Sequence, residues 1–302
     1  MWEFFKPILV DFKNPVLFAI PFFLLLLGIE IWISYKEKRH FYKKKDSIAS
    51  ITMGLGSLFS DILAKSTAFV LFVWLYQNFG FFKAELSWTP LGWILLFFLD
   101  DFTFYWHHRL SHEVRILWAC HVNHHSSQEY NLSTALRQSW TEIFYKYAFF
   151  LWLPLVGFHP LMVLTQISIN LIFQFWIHTK MIKKLPWPIE LIFNTPSHHR
   201  VHHASNVRYL DRNHAGTLII WDRLFGTFAE EVDEEPVVYG ITTNIESFNP
   251  LVIASHEFRS LWKDIRRAPN LGAKLKYIFY PPGWSHDGST QTAREMRKAS
   301  VK

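Results

Sequence analysis

Long apolar runs separated by short basic stretches divide the chain, and the first extends from Pro15 to Tyr35. About twenty apolar residues carry a helix across a bilayer, so this run predicts a first transmembrane helix. The sequence KEKRHFYKKK (36–45) follows it directly. A basic loop beside a span marks the cytoplasmic side, which places the N-terminus outside. The next apolar stretch, Ile48 to Phe79, is broken by Asp61 and Lys65. Residues four apart share a helix face, so these two are expected to pair inside the bundle, as a structural or substrate-lining pair. Gly54, Gly56, Ser57 and Ser60 offer small surfaces for close helix packing. An outer turn, Gly80 to Pro90, leads into a third predicted span, Leu91 to Trp106, whose downstream end carries Asp100 and Asp101.

Residues 107–140 have helical spacing but are polar and rich in histidine. Ile143 to Phe158 and Leu161 to Ile177, joined by GFHP, predict a helical hairpin that enters the membrane and returns. Lys180, Lys183 and Lys184 then fit a cytoplasmic exit. From Pro186 onward no run is long enough to span. The expected architecture is an all-α integral membrane protein with four to five transmembrane or membrane-embedded helices and a cytoplasmic helical cap. Residues 1–185 form the membrane bundle, 186–287 the cap and 288–302 a disordered polar tail.

Composition sharpens this picture in two places. The chain has 302 residues with 29 Phe and 14 Trp, and half of it is hydrophobic. Its net charge of +6 sits beside apolar runs and lacks the polar, aromatic-interleaved stripe of a nucleic-acid binder, so a membrane surface is the partner expected. Cys120 is the single cysteine, which rules out an intrachain disulfide framework and any multi-cysteine zinc site.

The candidate chemistry lies in three tight histidine clusters: His108 and His112 in WHHRLSHE, His121, His124 and His125 in HVNHH, and His199, His202 and His203 in HHRVHH. Spacings of three and four place side chains on one helix face, so each cluster is expected to point two or three imidazoles the same way. Imidazole is a good ligand for iron, zinc, copper or nickel. A structural zinc needs four ligands, and eight are enough for two metals that keep open positions. The predicted topology brings all three clusters to the cytoplasmic face. His178, at the membrane exit, is a plausible ninth ligand.

Neighbouring residues take weaker readings. The register of HHRVHH is ambiguous, because His198 and His202 are also four apart. His107 and His198 are expected to sit behind the ligands, and His214 is a weaker candidate. Asn123, Gln138, Asp211 and Asp222 are candidate acceptors for imidazole N–H groups, which metal-bound histidines usually require. Glu113 directly follows His112 and is the candidate catalytic carboxylate, acting as a weak ligand or as an acceptor behind one. HExxH, the usual zinc-protease helix, is absent, since Arg109 stands where its glutamate would be.

These clusters resemble the fatty acid hydroxylase and sterol desaturase superfamily of integral-membrane di-iron enzymes. The likeness runs through DDFTFYWHHRLSHE, LWACHVNHHSSQEYNLSTALRQ, FQFWIHTK, TPSHHRVHHASN and YLDRNHAGTLIIWDRLFGTF, over roughly residues 90–230. Further on, VVYGITTNIESFNPL and PPGWS are similar to the downstream segment of the alkylglycerol monooxygenase family. The resemblance implies two iron ions held by the eight clustered histidines, O2 as co-substrate, and Glu113 matching a glutamate that follows the first histidine pair. It also implies tetrahydrobiopterin or another external reductant as electron donor, and hydroxylation of the ether-linked carbon of an alkylglycerol. The resulting hemiacetal would collapse to a fatty aldehyde and glycerol. Asn213, His214, Ala215 and Gly216 depart from the Asn-Tyr-Gly-Gly that relatives often carry.

The sequence therefore predicts a membrane-bound, O2-dependent oxidoreductase acting on a lipid C–H bond at the cytoplasmic face. Desaturation or hydroxylation of sterols, carotenoids or fatty acyl chains is the alternative within the superfamily. A zinc-dependent membrane hydrolase and a non-catalytic metal-binding membrane protein are the alternatives outside it.

Overall fold

The computed structural model describes residues 15–300. Among the described residues, helices α1 (Pro15–Lys36) and α2 (Lys44–Phe79) are the two that are long and apolar enough to cross a membrane. Only 6 % of the apolar window of α1 is buried, and Leu17, Phe18, Leu24 and Leu25 are more than half exposed. In water such a face would be costly; against lipid tails it is at home. Both helices follow the predicted runs closely.

The third predicted span is the first part of a longer helix. Helix α3 (Pro90–Glu113) begins where the Thr89 side chain caps the Gly92 N–H and Pro90 takes the first turn, a favoured start for a helix. It continues past Trp106 and so carries His108 and His112 on its last turns. Val114 is extended and breaks the chain into helix α4 (Arg115–His125), which carries the second cluster.

The predicted hairpin is half regular. Its return arm is helix α5 (Pro160–Trp176), but the entering arm is broken into Ile143–Lys146, a 3-10 turn at Tyr147–Phe150 and Trp152–Val156. Pro154 denies its helix an internal N–H, and Gly157, at φ +124°, stops it. This broken arm packs Phe150, Leu153 and Phe158 against Phe72 of α2, Leu96 of α3 and Met162 of α5, the main apolar core.

Among the described residues no strand forms, and two isolated antiparallel bridges, Phe193–Leu218 and Ala204–Tyr239, hold the loops near the third cluster. That cluster rides on the short helix α6 (Pro196–His202). Helices α7 (Pro250–Arg267) and α8 (Leu271–Phe279) pack on α4. Arg115 at the start of α4 clamps α7 through Glu257 (2.9 Å) and Asp264 (2.7 Å). The tail departs from the expected disorder: Ala293–Ser300 forms helix α9, and Arg297 donates to the Leu210 carbonyl.

Candidate metal centre

Buried ion pairs and carboxylates fix the elements that carry the histidines. Arg137 is almost fully buried and joins Asp46 of α2 (3.1 Å) to the Asn123 carbonyl at the end of α4 (3.2 Å). Arg200 of α6 pairs with Glu231 (2.7 Å) and donates to the carbonyls of Thr179 and Ile182, tying α6 to the exit of α5. Glu30 of α1 accepts from Thr179, Tyr42 and the Leu132 N–H. On α3, the buried Asp101 accepts from the N–H groups of Thr217 (2.7 Å) and Leu218 (2.9 Å) and from the Trp221 indole (2.9 Å). Such multiply satisfied carboxylates specify one loop conformation, because each donor would otherwise be buried without a partner.

Nine buried histidines meet inside this frame, in two groups. The first holds His108, His112, His121, His125 and His202; the second holds His124, His178, His199 and His203. Within each group the candidate ligand atoms lie within 4.8 Å of one another. The two groups share a border, where the rings of His125 and His203 stack at 4.4 Å and those of His202 and His199 at 5.2 Å.

The clusters do not each point one way, as the spacing suggested. His108/His112, His121/His125 and His199/His203 are four apart and each pair enters one group. His124 and His202, three residues from a pair member, turn to the opposite group. A step of four leaves residues nearly aligned on a helix, whereas adjacent positions diverge by about a quarter turn. The second and third clusters therefore knit the two groups together.

Ring orientation bears on what the groups can hold. The Nδ1 atoms of His108, His202, His124 and His178 lie 2.8, 2.9, 3.3 and 2.7 Å from the carbonyls of His214, Arg212, Arg137 and Gln174. A carbonyl only accepts, so in these rings the proton sits on Nδ1 and the Nε2 lone pair faces inward. Inside the first group, the Nε2 of His121 lies 3.1 Å from that of His108 and 3.3 Å from that of His125. Inside the second, the Nε2 of His178 is 3.1 Å from that of His124 and 2.9 Å from that of His199, which is 3.2 Å from that of His203. Between His124 and His178, both protonated on Nδ1, two lone pairs face each other at 3.1 Å and repel unless a cation lies between them. Metal–nitrogen bonds of about 2.1 Å give ligand–ligand edges of roughly 3.0–3.4 Å at right or tetrahedral angles, and the distances here fit that shape. Burial, reinforced by neighbouring imidazoles, pushes His112, His125, His199, His202 and His203 well below the ordinary histidine range, and burial takes His178 to about 4. These six donors are thus neutral imidazole, the ligating form.

Other predicted residues fall outside the two groups. His198 resolves the register of its cluster by turning to Glu190 (2.9 Å) and the Phe193 carbonyl (3.2 Å). His107 faces Glu142 at 3.4 Å, and burial lowers it to about 3. His214 is fully buried, with its ring 5.0 Å from that of His112. Glu113 points to Arg109 (2.9 Å), which reaches Tyr105 (3.2 Å), and it enters neither group. Of the four predicted acceptors, Asp211 reaches an imidazole, His112 Nδ1 at 3.5 Å. Burial raises its carboxyl to about 6, with Arg297 opposing and Glu113 adding to the rise. Asp222 instead accepts the backbone N–H groups of His214 and Ala215, both at 2.8 Å. Asn123 donates to Ser139 (3.4 Å) and Gln138 to the Ala135 carbonyl (2.8 Å). Both are held by local chain geometry that spacing alone does not reveal.

Sequence reasoning missed Glu142 and Glu190. Glu142 lies 3.7 Å from His121 Nδ1 as well as 3.4 Å from His107, and it occupies no histidine motif that would have drawn notice. Hydrogen bonds from His198, the Leu185 N–H and Ser197 outweigh burial and hold the Glu190 carboxyl at about 2.

A cavity of about 370 Å³ opens onto the second group. His124 and His178 form part of its wall, and Leu24 and Leu27 of α1, Leu58 of α2 and Phe175 of α5 make it largely apolar. It is shaped for a lipid chain, with the imidazoles at one end.

Comparison with known proteins agrees with this geometry. Residues 93–227 match the profile of the fatty acid hydroxylase family. The chain is 42 % identical to human (Homo sapiens) alkylglycerol monooxygenase over 269 residues, covering 88 % of this chain and 59 % of the relative. It is 36 % identical to the Caenorhabditis elegans alkylglycerol monooxygenase, covering 84 % of this chain and 51 % of that one. It is also 31 % identical to the ornithine lipid hydroxylase OlsE of Rhizobium tropici over 148 residues, 49 % of this chain and 44 % of that one. The chain thus spans between half and three fifths of the length of the alkylglycerol monooxygenases it matches. No solved structure matches it. With its three histidine clusters inside the matched segment, residues 93–227 of this chain are a domain of the fatty acid hydroxylase family.

Proposed function

We propose that this protein is a membrane-bound di-iron monooxygenase that hydroxylates the ether-linked carbon of an alkylglycerol-type lipid. The observation that carries the reading is the pair of adjacent all-histidine groups, one of which opens onto an apolar cavity. The identity to alkylglycerol monooxygenases supports the substrate class.

In this reading His108, His112, His121, His125 and His202 hold one iron, and His124, His178, His199 and His203 the other. The irons, when bound, supply O2 activation. One oxygen atom enters the C–H bond and the other leaves as water, with electrons and protons from an external reductant such as a tetrahydropterin. The hydroxylated ether is a hemiacetal, which releases a fatty aldehyde and the glycerol alcohol.

The chain's own groups do the positioning. The apolar walls contributed by α1, α2 and α5 align the alkyl chain and exclude water, and His124 and His178 meet it at the reacting end. Backbone carbonyls hold the Nδ1 protons of four ligands, and such partners orient a ligand and raise its basicity. The carboxylates of Asp211 and Glu142 stand behind His112 and His121 at the longer distances of 3.5 and 3.7 Å and act by their charge. Glu113 acts through Arg109 and through the field it exerts on Asp211. The groups face the cytoplasm, because the basic loop 36–45 and Lys180, Lys183 and Lys184 lie at the same ends of their helices.

The test is joint measurement of metal content, O2 uptake and aldehyde release, on full-length protein made in iron-replete cells and given an alkylglycerol with a reduced pterin. About two irons per chain with stoichiometric uptake and aldehyde is the expected result. Activity that persists without O2, or tightly held zinc that iron reconstitution does not replace with activity, overturns it.

A further inference from the structure

Besides its imidazoles and a few neutral polar groups, the largely apolar wall of the cavity carries four charged side chains, Asp61 and Lys65 of α2, Glu142 and Lys146. Three of these four are already engaged. Lys65 pairs with Asp61 at 2.9 Å, and Asp61 also accepts from the Tyr147 hydroxyl at 2.7 Å. Glu142 faces His107 and His121. Lys146 is left: it is half-buried and lies in the field of the Asp61 and Glu142 carboxylates, but among the described residues it makes no close ion pair with either, and its ammonium is 6.0 Å from the Tyr147 ring. A cation among lipid-facing helices is costly to keep and usually has a functional partner.

Position says what that partner is part of. Lys146 and Glu142 are four apart on one short helix, about 6 Å along its axis, and Glu142 abuts a histidine of the first group. The ammonium is also near enough to act on His107, which shares Glu142 with His121, and so lies toward the metal side of the cavity, while Leu24, Leu27 and Leu171 line the apolar course. A lipid anchored at Lys146 has its polar end beside the imidazoles and its tail among the leucines. Its oxidised carbon is then near the head and not mid-chain.

We propose that Lys146 is the anchor for an anionic oxygen group, a phosphate or a carboxylate, at the head of the bound lipid, and that it sets both headgroup preference and the carbon attacked. This deepens the reading above and rests on it for the position of the reacting carbon.

The experiment is equilibrium binding of three radiolabelled lipids of equal chain length to the metal-loaded full-length protein in nanodiscs. They are a neutral 1-O-hexadecylglycerol, its 3-phosphate and hexadecanoate. A charge-assisted contact predicts tenfold to hundredfold tighter binding of an anionic lipid than of the neutral one, and whether phosphate or carboxylate gains more identifies the source. K146M or K146Q removes that preference and leaves neutral-lipid binding within about twofold, whereas K146R keeps it. Equal binding of all three lipids by the wild type, or an equal loss for all three in both neutral variants, overturns the proposal. The wild-type comparison decides the preference even if a variant fails to accumulate. Turnover is read separately: a Lys146-dependent binding preference without aldehyde release retains the anchor and rejects the monooxygenase reading.

Discussion

The two histidine groups differ in how they are closed. The five-membered group is covered by the 211–222 loop, whose carbonyls at Arg212 and His214 and whose Asp211 hold its rings from behind. The four-membered group has two of its histidines, His124 and His178, in the wall of the apolar cavity. A metal surrounded by five imidazoles has fewer free positions than one with four. The difference teaches that the groups are not duplicates: one is enclosed by protein, and the other opens onto the cavity.

The largest effect expected from breaking this asymmetry is on the open group. His178→Ala leaves three imidazoles there, and we expect loss of turnover with metal content falling from about two to about one per chain. His112→Ala leaves four in the covered group and should retain metal while slowing turnover less. Elemental analysis beside an O2-uptake assay checks both, and equal behaviour of the two variants would contradict the asymmetry. His125→Ala and His202→Ala, at the shared border, should abolish turnover.

Next in size is the support of the covered group. Asp222→Ala strands the N–H groups of His214 and Ala215 and the Thr227 hydroxyl. Leaving buried donors unpaired costs on the order of 3 kcal/mol. A lowered unfolding temperature together with loss of metal from the first group is the expected result; unchanged stability would mean that water replaces the carboxylate. Asp211→Asn removes the negative charge beside His112 and should weaken metal retention about 10- to 100-fold, measurable by chelator competition, with the second group unaffected.

Acid should act on both groups. The buried imidazoles, such as His178 at about 4, have folded values below the ordinary 6.5. The unfolded chain therefore binds more protons between those values, so their contribution is complete above pH 6.5 and is lost as the pH falls toward 4. Thermal unfolding of metal-stripped protein should show a falling midpoint across that window, and a flat profile would refute it. The smallest effect belongs to the cavity. Leu171→Trp shortens the apolar course and should cut kcat/KM for long-chain lipids about tenfold relative to short ones, and a chain-length series reads this directly.

Much of this arrangement was legible before any coordinates. Apolar runs of spanning length marked α1 and α2 within a few residues, because a lipid-facing helix needs apolar side chains all round and leaves little else to encode. The eight clustered histidines were legible because their spacing is dense and their residue type is chemically narrow. His178 was harder to see: it stands alone in sequence and joins the second group only because Glu30 and Arg200 hold the exit of α5 against α6. Asp222 was read as a partner for an imidazole, yet the turn at residues 213–216 brings backbone N–H groups to it first. The broken arm at 143–156 looked like a helix by hydrophobicity, and tertiary packing of its aromatic residues on α2 and α5 prevailed over that periodicity.

By itself, then, the sequence determined the two long apolar helices, the imidazole character of the clusters and the pairs four residues apart, since each is set by local composition or by the pitch of one helix. Tertiary structure decided which histidines share a centre and that the cavity meets His124 and His178. Those outcomes depend on the relative rotation of helices far apart in the chain. Buried bridges such as Arg137–Asp46 and Asp101 with its four donors set that rotation, and no local pattern records which partner each will find.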